Sequence, residues 1–251
     1  MTLQGPSSIF NSQFSIYLSV VIPVYNEERT VLEAIRRIDA YRQIKQQAWE
    51  ILVVNDGSTD KTRQLVEDFI RTSGVTHVKL ISYDQNRGKG AAVRQGVLGS
   101  SGQYVLLTDV DLSSPIKEVD KLIRTMEYNV DIAIGSRAIR ARNCDVQQSL
   151  KRAVSGRIFN FFVRFLVLPG IYDTQCGFKC FSRRAAMDIF SAQKLDGFSF
   201  DVEALYLARK KGYKISEVPV MWRQGESSRV SLLRDSRRMF GDLFKIKKIH
   251  G

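Results

Sequence analysis

Cysteine and histidine are scarce in this chain, and their scarcity argues against several classes of site. Three cysteines, Cys144, Cys176 and Cys180, do not make a disulfide framework, and a reducing cytosol is the simpler setting. The two histidines, His77 and His250, lie far apart in sequence, which argues against a zinc site built from Cys and His. No G-x-G-x-x-G follows the first strand-like run, so a dinucleotide dehydrogenase is disfavoured. The N-terminus shows no signal-peptide pattern, and there is no internal repeat or low-complexity linker. The intensely apolar stretch "RIFNFFVRFLVLPGI" at 157–171 is too short to span a bilayer, and Asn160 and Arg164 interrupt it. Acidic residues are also short, 26 against 38 basic ones for a net charge of +12, which calls for an anionic partner. Nucleic acid, anionic lipid and a phosphorylated substrate all meet that demand, and composition does not choose among them.

What is present is enough for one sizeable core. With 251 residues, 44% of them hydrophobic and 25% charged, the chain reads as a single globular α/β domain. Residues 1–12 read as a short, frayed polar lead-in and 13–251 as the domain. Strand-like runs at 16–25, 49–56, 77–83, 103–109 and 130–136 alternate with helical segments. The stretch 27–41 places Val31, Ala34, Ile35 and Ile38 on one helical face. A second helix starts near Asp60, whose default role is to cap it. Strands this continuously apolar predict a mostly parallel sheet covered on both faces. In such sheets the ligand crevice lies beyond the carboxyl ends of the strands. "YNEE", "NDGS" and "DVD" follow the first, second and fourth strands, which places all three there.

Two later segments carry two readings each. On a helix, Arg157, Asn160 and Arg164 form a narrow polar stripe on an apolar cylinder, which suits either a core helix or one lying in a membrane interface. The stretch 231–248 groups Leu232, Met239, Leu243 and Ile246 near one face and Arg234, Arg237, Arg238, Lys245 and Lys247 on the other. Such basic amphipathic helices are solvated surface elements or partners of anionic membranes.

The pair Asp109 and Asp111 poses the sharpest chemical question. In an extended chain, residues i and i+2 point the same way, and two carboxylates that close repel unless a cation or proton lies between them. Mg2+ or Mn2+ suits oxygen ligands and is commonly shared with substrate phosphates. The plainer alternative is capping, with Asp111 or Ser114 starting the helix that Pro115 opens.

The ordered series "VVIPVYNEE", "VVNDGSTD", "NRGKGAAVRQG" and "DVDLSSP" resembles the inverting family 2 nucleotide-sugar glycosyltransferases of the GT-A fold. Further on, "GSRA", "DTQCGFKCF", "FDVEALYLA" and "VPVMW…GESSRV" resemble the branch that glycosylates polyprenyl phosphates, dolichyl-phosphate glucosyltransferases in particular. The resemblance covers roughly residues 16–248, and the joint order of its pieces is what makes it specific. It implies a nucleotide-binding half, 13–136, and an acceptor and membrane-facing half, 137–251.

The resemblance implies roles residue by residue. Pro23, Tyr25, Asn26 and Glu27 fall in the nucleotide pocket, and Asp56 would accept a hydrogen bond from the base. Gly88 and Gly90 would let backbone approach the nucleotide, with Lys89 facing its phosphates or base. Asp109 would meet the ribose or the metal, and Asp111 would ligate the metal directly. Arg137 and Arg152 match positions around phosphate, which suits the planar fork of arginine. Asp173, Gln175, Gly177 and Lys179 would shape the acceptor-side loop, with Cys176 a small packed residue. Trp222, Arg223, Ser228 and Arg229 fall in a segment that relatives fold over the donor. Asp201 and Glu203 suit a base, a cap or a supporting ion pair, and stay open.

The implied reaction moves a hexose, glucose from UDP-glucose in the first place, onto a polyprenyl or dolichyl phosphate. That acceptor is already an anion at neutral pH and needs no base. Inversion would turn an α-linked donor into a β-linked product. The expected setting is the cytoplasmic face of a membrane, bound peripherally through an anionic surface. The competing expectations are GDP-mannose as donor and, outside enzymes, a basic nucleic-acid-binding protein. The latter is disfavoured because the cations flank phosphate and membrane motifs instead of forming an aromatic-interleaved patch.

Overall fold

A computed structural model describes residues 14–139, 146–147, 163–165, 167–223 and 234–251. Arg152, Ser228, Arg229, Cys144, Arg157, Asn160 and Leu232, all named above, lie outside them.

The five expected strands form as β1 (Leu18–Val24), β2 (Trp49–Asp56), β3 (Val78–Tyr83), β4 (Tyr104–Leu107) and β5 (Ile132–Ser136). With β7 (Lys179–Ser182) and β8 (Ile215–Pro219) they make one seven-stranded sheet in the order β3-β2-β1-β4-β7-β5-β8. Every neighbouring pair is parallel except those of β7, which runs antiparallel to both β4 and β5. A second, two-stranded parallel sheet joins β6 (Val146–Gln147) to β9 (Trp222–Arg223).

Period-two alternation sorts the strand side chains into two cores. Leu18, Val20, Ile22 and Val24 of β1 face one side, where α1 (Val31–Lys45), α2 (Thr62–Ser73) and α4 (Val119–Met126) pack. Val21 of β1 and Leu52 and Val54 of β2 face the other. There they meet α3 (Lys89–Leu98), α5 (Arg183–Ala192), α6 (Phe200–Lys210) and α7 (Arg234–His250). On α7, Met239, Leu243 and Ile246 are the buried residues of this face, while Phe244, Lys245, Lys247, Lys248 and Ile249 are exposed. Of the 157–171 stretch, Val163, Val167 and Leu168 are buried in the same core, which favours the core reading there, and Phe165 is exposed.

Strand order reverses direction between β1 and β4, and such a switch point opens a crevice at the carboxyl ends of the strands. Pairing of β1 with β4 ends at Val21–Leu107. Pro23, which has no N–H to contribute, lies beyond the last pair. The chain leaves β1 through Asn26 at φ +53°, a left-handed conformation that Asn tolerates. Helix α1 therefore starts at Val31, four residues later than the apolar periodicity suggested.

Candidate active site

Four loops meet at the crevice, and they are stitched together by side-chain to backbone hydrogen bonds. Asn26 Oδ1 accepts from the N–H of Thr59 at 2.7 Å, and the Asn26 N–H donates to Ser58 Oγ at 2.8 Å. The Glu27 N–H donates to Thr62 Oγ1 at 2.7 Å. Asp60 accepts from the Thr62 N–H at 2.9 Å and from the Glu28 N–H at 3.2 Å, although the N-cap of α2 is Lys61, one residue later than expected. The turn after β1 and the start of α2 thus form one unit, with Tyr25 about one-third exposed at its rim.

Asp56 ends β2 buried. Its carboxylate accepts from the N–H groups of Arg87 at 2.8 Å and Gly88 at 2.9 Å, and from Asn86 Nδ2 at 2.9 Å. The expected base reader is therefore occupied in anchoring the "NRGKG" loop. The glycines of that loop also have protein neighbours where a ligand was expected. A Cβ on Gly88 would lie 2.4 Å from the Asp196 carbonyl oxygen, and one on Gly90 would lie 2.5 Å from that of Leu195. Gly88 adopts φ +107°, which only glycine holds without strain. What the loop offers toward the crevice is the Lys89 side chain.

The acid pair differs from its sequence-based picture. Strand β4 stops at Leu107, and the N–H of Leu112 donates to the Asp109 carbonyl at 3.1 Å, closing a turn over 109–112. Buried Leu112 holds φ +47° there, an uncommon conformation for a bulky residue and of the kind that persists at functional sites. Asp111 turns back on its own loop, accepting from the Ser113 N–H at 2.9 Å and Ser113 Oγ at 2.7 Å. Asp109 accepts from Lys89 Nζ at 2.5 Å. Burial opposes the charge on Lys89, but Asp109, Asp201 and Asp111 hold its ammonium above the usual lysine range. Burial likewise opposes ionisation of Asp109, and Lys89, Lys179 and Arg137 outweigh it, so its carboxyl stays below the usual range.

Gly177 gives Asp109 its space, because a Cβ on Gly177 would lie 2.3 Å from Asp109 Oδ2. The atom met is the end of a side chain, so Gly177→Ala is expected to fold with little loss of stability while displacing the carboxylate. Turnover should fall roughly a hundred-fold, the scale of a misplacement near 1 Å. Steady-state kinetics with a thermal melt of the same sample checks both halves.

Beyond the end of β5, partly exposed Arg137 and buried Asp173 form a two-bond pair. Nε and Nη2 of Arg137 donate to the two carboxylate oxygens of Asp173 at 2.8 Å each, and the Arg137 N–H adds a third bond at 2.8 Å. Burial opposes both charges, yet each partner stabilises the other, raising the guanidinium pKa and lowering that of Asp173. The guanidinium also sits 5.4 Å from the Trp222 ring centroid. Arg223 follows, exposed, its N–H donating to the Ser113 carbonyl at 2.8 Å. Gln175 donates its backbone N–H to Asp173 at 3.3 Å.

Lys179 was expected in the acceptor loop, but it is 1% exposed. Its ammonium donates to Asp201 Oδ1 at 2.5 Å and the Cys176 carbonyl at 2.6 Å. Its part is to position the 176–178 turn. Buried Cys176 has its thiol pushed up by desolvation, as befits a packed residue. Glu203, fully buried, accepts from the N–H groups of Lys194 and Leu195 at 2.8 Å each and lies 2.6 Å from His250 Nε2. One contributor was not foreseen. Glu217 accepts from the N–H groups of Tyr172 at 2.7 Å and Asp173 at 2.9 Å. A lone acid inside the run "ISEVP" was its only sequence signal.

A mostly parallel sheet with an acid turn at its switch point is an α/β arrangement that places a ligand crevice at the carboxyl ends of the strands. The Glycosyl transferase family 2 profile matches residues 19–190, and the chain belongs to that family. It is 34% identical over 258 residues to the dolichyl-phosphate beta-glucosyltransferase of Dictyostelium discoideum, covering 97% of this chain and 78% of that protein. The Homo sapiens and Saccharomyces cerevisiae proteins of the same name are 35% and 37% identical, each covering 92% of this chain and 74% of the relative. In fold, the chain is similar to glucosyl-3-phosphoglycerate synthase from Mycobacterium tuberculosis solved with Mn2+, UDP and glucosyl-3-phosphoglycerate. The TM-score is 0.70 at 20% identity, over 94% of this chain and 81% of that one.

Proposed function

We propose that this chain transfers glucose from UDP-glucose to dolichyl phosphate or a related polyprenyl phosphate, with inversion, at a membrane surface. The observation that carries the acceptor assignment is the state of the carboxylates around the crevice. Asp173 is bound to Arg137, Asp201 to Lys179, and Glu203 and Glu217 to backbone N–H groups. Among the described residues these acids are all engaged, which suits an acceptor that arrives already ionised and needs no proton removed.

Pro23, Tyr25, Asn26, Glu27 and Asp56 then build the donor side, the last by fixing the loop that carries Lys89. Arg137, fixed by Asp173, would meet the acceptor phosphate together with Gln175 and Arg223, and the family resemblance assigns Arg152, Ser228 and Arg229, outside the described residues, to the same role. The described residues hold no cluster of three or more His, Cys, Asp or Glu fit to enclose a metal. Asp109 and Asp111 are instead two all-oxygen donors, the share that a protein gives Mg2+ or Mn2+ when substrate phosphates supply the rest. The Lys89 ammonium seated on Asp109 supports this reading of the carboxylate as a cation partner. When bound, the ion would stabilise charge on the departing diphosphate. Asp109 and Asp111 would hold that ion and through it the diphosphate, Arg137 would hold the acceptor phosphate, and Trp222 packs against that arginine.

No helix among the described residues is long and apolar enough to cross a membrane. The exposed Phe244, Ile249, Lys245, Lys247 and Lys248 of α7 give a mixed apolar and basic surface suited to an anionic cytoplasmic leaflet.

A transfer assay offering UDP-glucose, GDP-mannose and UDP-N-acetylglucosamine to dolichyl phosphate tests the assignment. UDP-glucose should be preferred and its product β-linked. Preference for GDP-mannose would reassign the donor, and transfer to soluble sugars but not to the lipid phosphate would overturn the acceptor.

A further inference from the structure

The best-placed positive charge for the donor phosphates, Lys89, points at a carboxylate instead. It is the first residue of α3, where the helix dipole disfavours a cation. Its ammonium is compensated by Asp109 at 2.5 Å and faces Asp201 and Asp111 beyond it. The other donors of the same loop are spent within the protein. The N–H groups of Arg87 and Gly88 go to Asp56, and those of Gly90 and Ala91 go to the Asp196 carbonyl at 2.8 and 3.2 Å. The loop backbone is thus fixed from both sides, while the lysine side chain has rotatable bonds and, among the described residues, one hydrogen-bonded partner, Asp109, which lies at the mouth of the site.

We infer that Lys89 is an exchangeable internal counter-cation. It occupies the Asp109 carboxylate while no nucleotide is bound, and it transfers to the nucleotide's phosphates as a divalent ion takes its place. The inference rests on the metal-sharing role proposed above for Asp109 and Asp111.

Local electrostatics favours the exchange. Asp109, Asp111 and Asp201 face Lys89 and Lys179, Arg137 also acts on Asp109 while paired to Asp173, and Lys179 is buried and held by Asp201 and a carbonyl. A divalent ion approaching Asp109 with Lys89 in place meets a like charge, which like-charge repulsion disfavours. A diphosphate relieves this, because it offers Lys89 several oxygens and the ion two more. Metal and nucleotide affinities are therefore coupled through one side chain, and the coupling is reciprocal.

The test titrates Mn2+ into the full chain, following free Mn2+ by electron paramagnetic resonance, first without and then with UDP. The samples are wild type, Lys89→Met, Lys89→Gln, Asp111→Asn and the remote control Lys79→Met. Lys79 pairs with Glu50, whose other partners Ser19 and Ser101 are outside the crevice. Without UDP, both Lys89 variants should bind Mn2+ roughly ten-fold more tightly than wild type, within the usual range of coupling between sites. The control should match wild type. With UDP that advantage should shrink or reverse, and UDP itself should bind the Lys89 variants more weakly. Equal or weaker Mn2+ binding to both Lys89 variants without UDP overturns the exchange while leaving the metal site standing. Mn2+ binding that survives Asp111→Asn unchanged, or no Mn2+ binding with UDP in any sample, overturns the metal role and the exchange together.

Discussion

Asp111→Asn is expected to lower transfer roughly a thousand-fold, the scale on which electrostatic stabilisation of a leaving group acts. The substitution keeps shape and removes charge. The turn that carries the residue should persist, because the carboxamide oxygen can still accept from the Ser113 N–H that Asp111 now holds at 2.9 Å. Little stability should be lost, since this part of the turn is also held by Leu112, whose N–H reaches the Asp109 carbonyl and whose side chain is buried. Steady-state transfer alongside a thermal melt separates the two effects. A fall in both together would mean that Asp111 is a capping residue, the plainer alternative for an acid ahead of Ser-Ser-Pro.

Asp173→Asn has the largest expected effect on stability. Asp173 is buried and Arg137 about one-fifth exposed, so taking the charge from Asp173 leaves a mostly enclosed guanidinium without its counter-ion. Breaking a fully buried pair costs about 3 kcal/mol at the low end, and the exposure of Arg137 makes that the upper figure here. At the entropy of unfolding of a chain this size, that is roughly 6–12 °C in Tm. The pH dependence has a definite sign. The folded-state pKa of Asp173 is depressed, so its stabilisation is complete above the unfolded value of about 4. It is lost as pH falls through the lower folded value. The Tm gap between wild type and variant should be constant from neutral pH down to about 5 and close below about 4. Transfer should fall as well, because Arg137 loses the partner that fixes its fork.

The parts of this architecture visible in the sequence were those set by local pattern. β2 runs over 49–56 as expected, because a continuous buried apolar run ends there at Asn-Asp-Gly, with Gly57 at φ +67°. The C-terminal helix was expected over 231–248 and forms over Arg234–His250, burying Met239, Leu243 and Ile246 as its periodicity implied. Expectations missed where distant partners decide. Residues 27–30 carry the helical pattern but are used in the turn tied to Ser58 and Thr62. The two aspartates alternate as on a strand, yet a left-handed Leu112 bends them into a turn. Lys179 reads in sequence as part of an acceptor-side loop, and only the fold brings Asp201 to it across 22 residues. Glu217 and the crowding of Gly177 against Asp109 belong to the same class, because nothing local announces a contact made through the sheet.

Transfer from radiolabelled UDP-glucose to dolichyl phosphate, run in chelator and again after Mn2+ or Mg2+ is restored, probes the chemistry most directly. Label should fail to enter the lipid in chelator and return when the ion is added, with Asp111→Asn inactive in both. Undiminished lipid labelling by the wild-type protein in chelator would mean that Asp109 and Asp111 share no ion with the departing diphosphate.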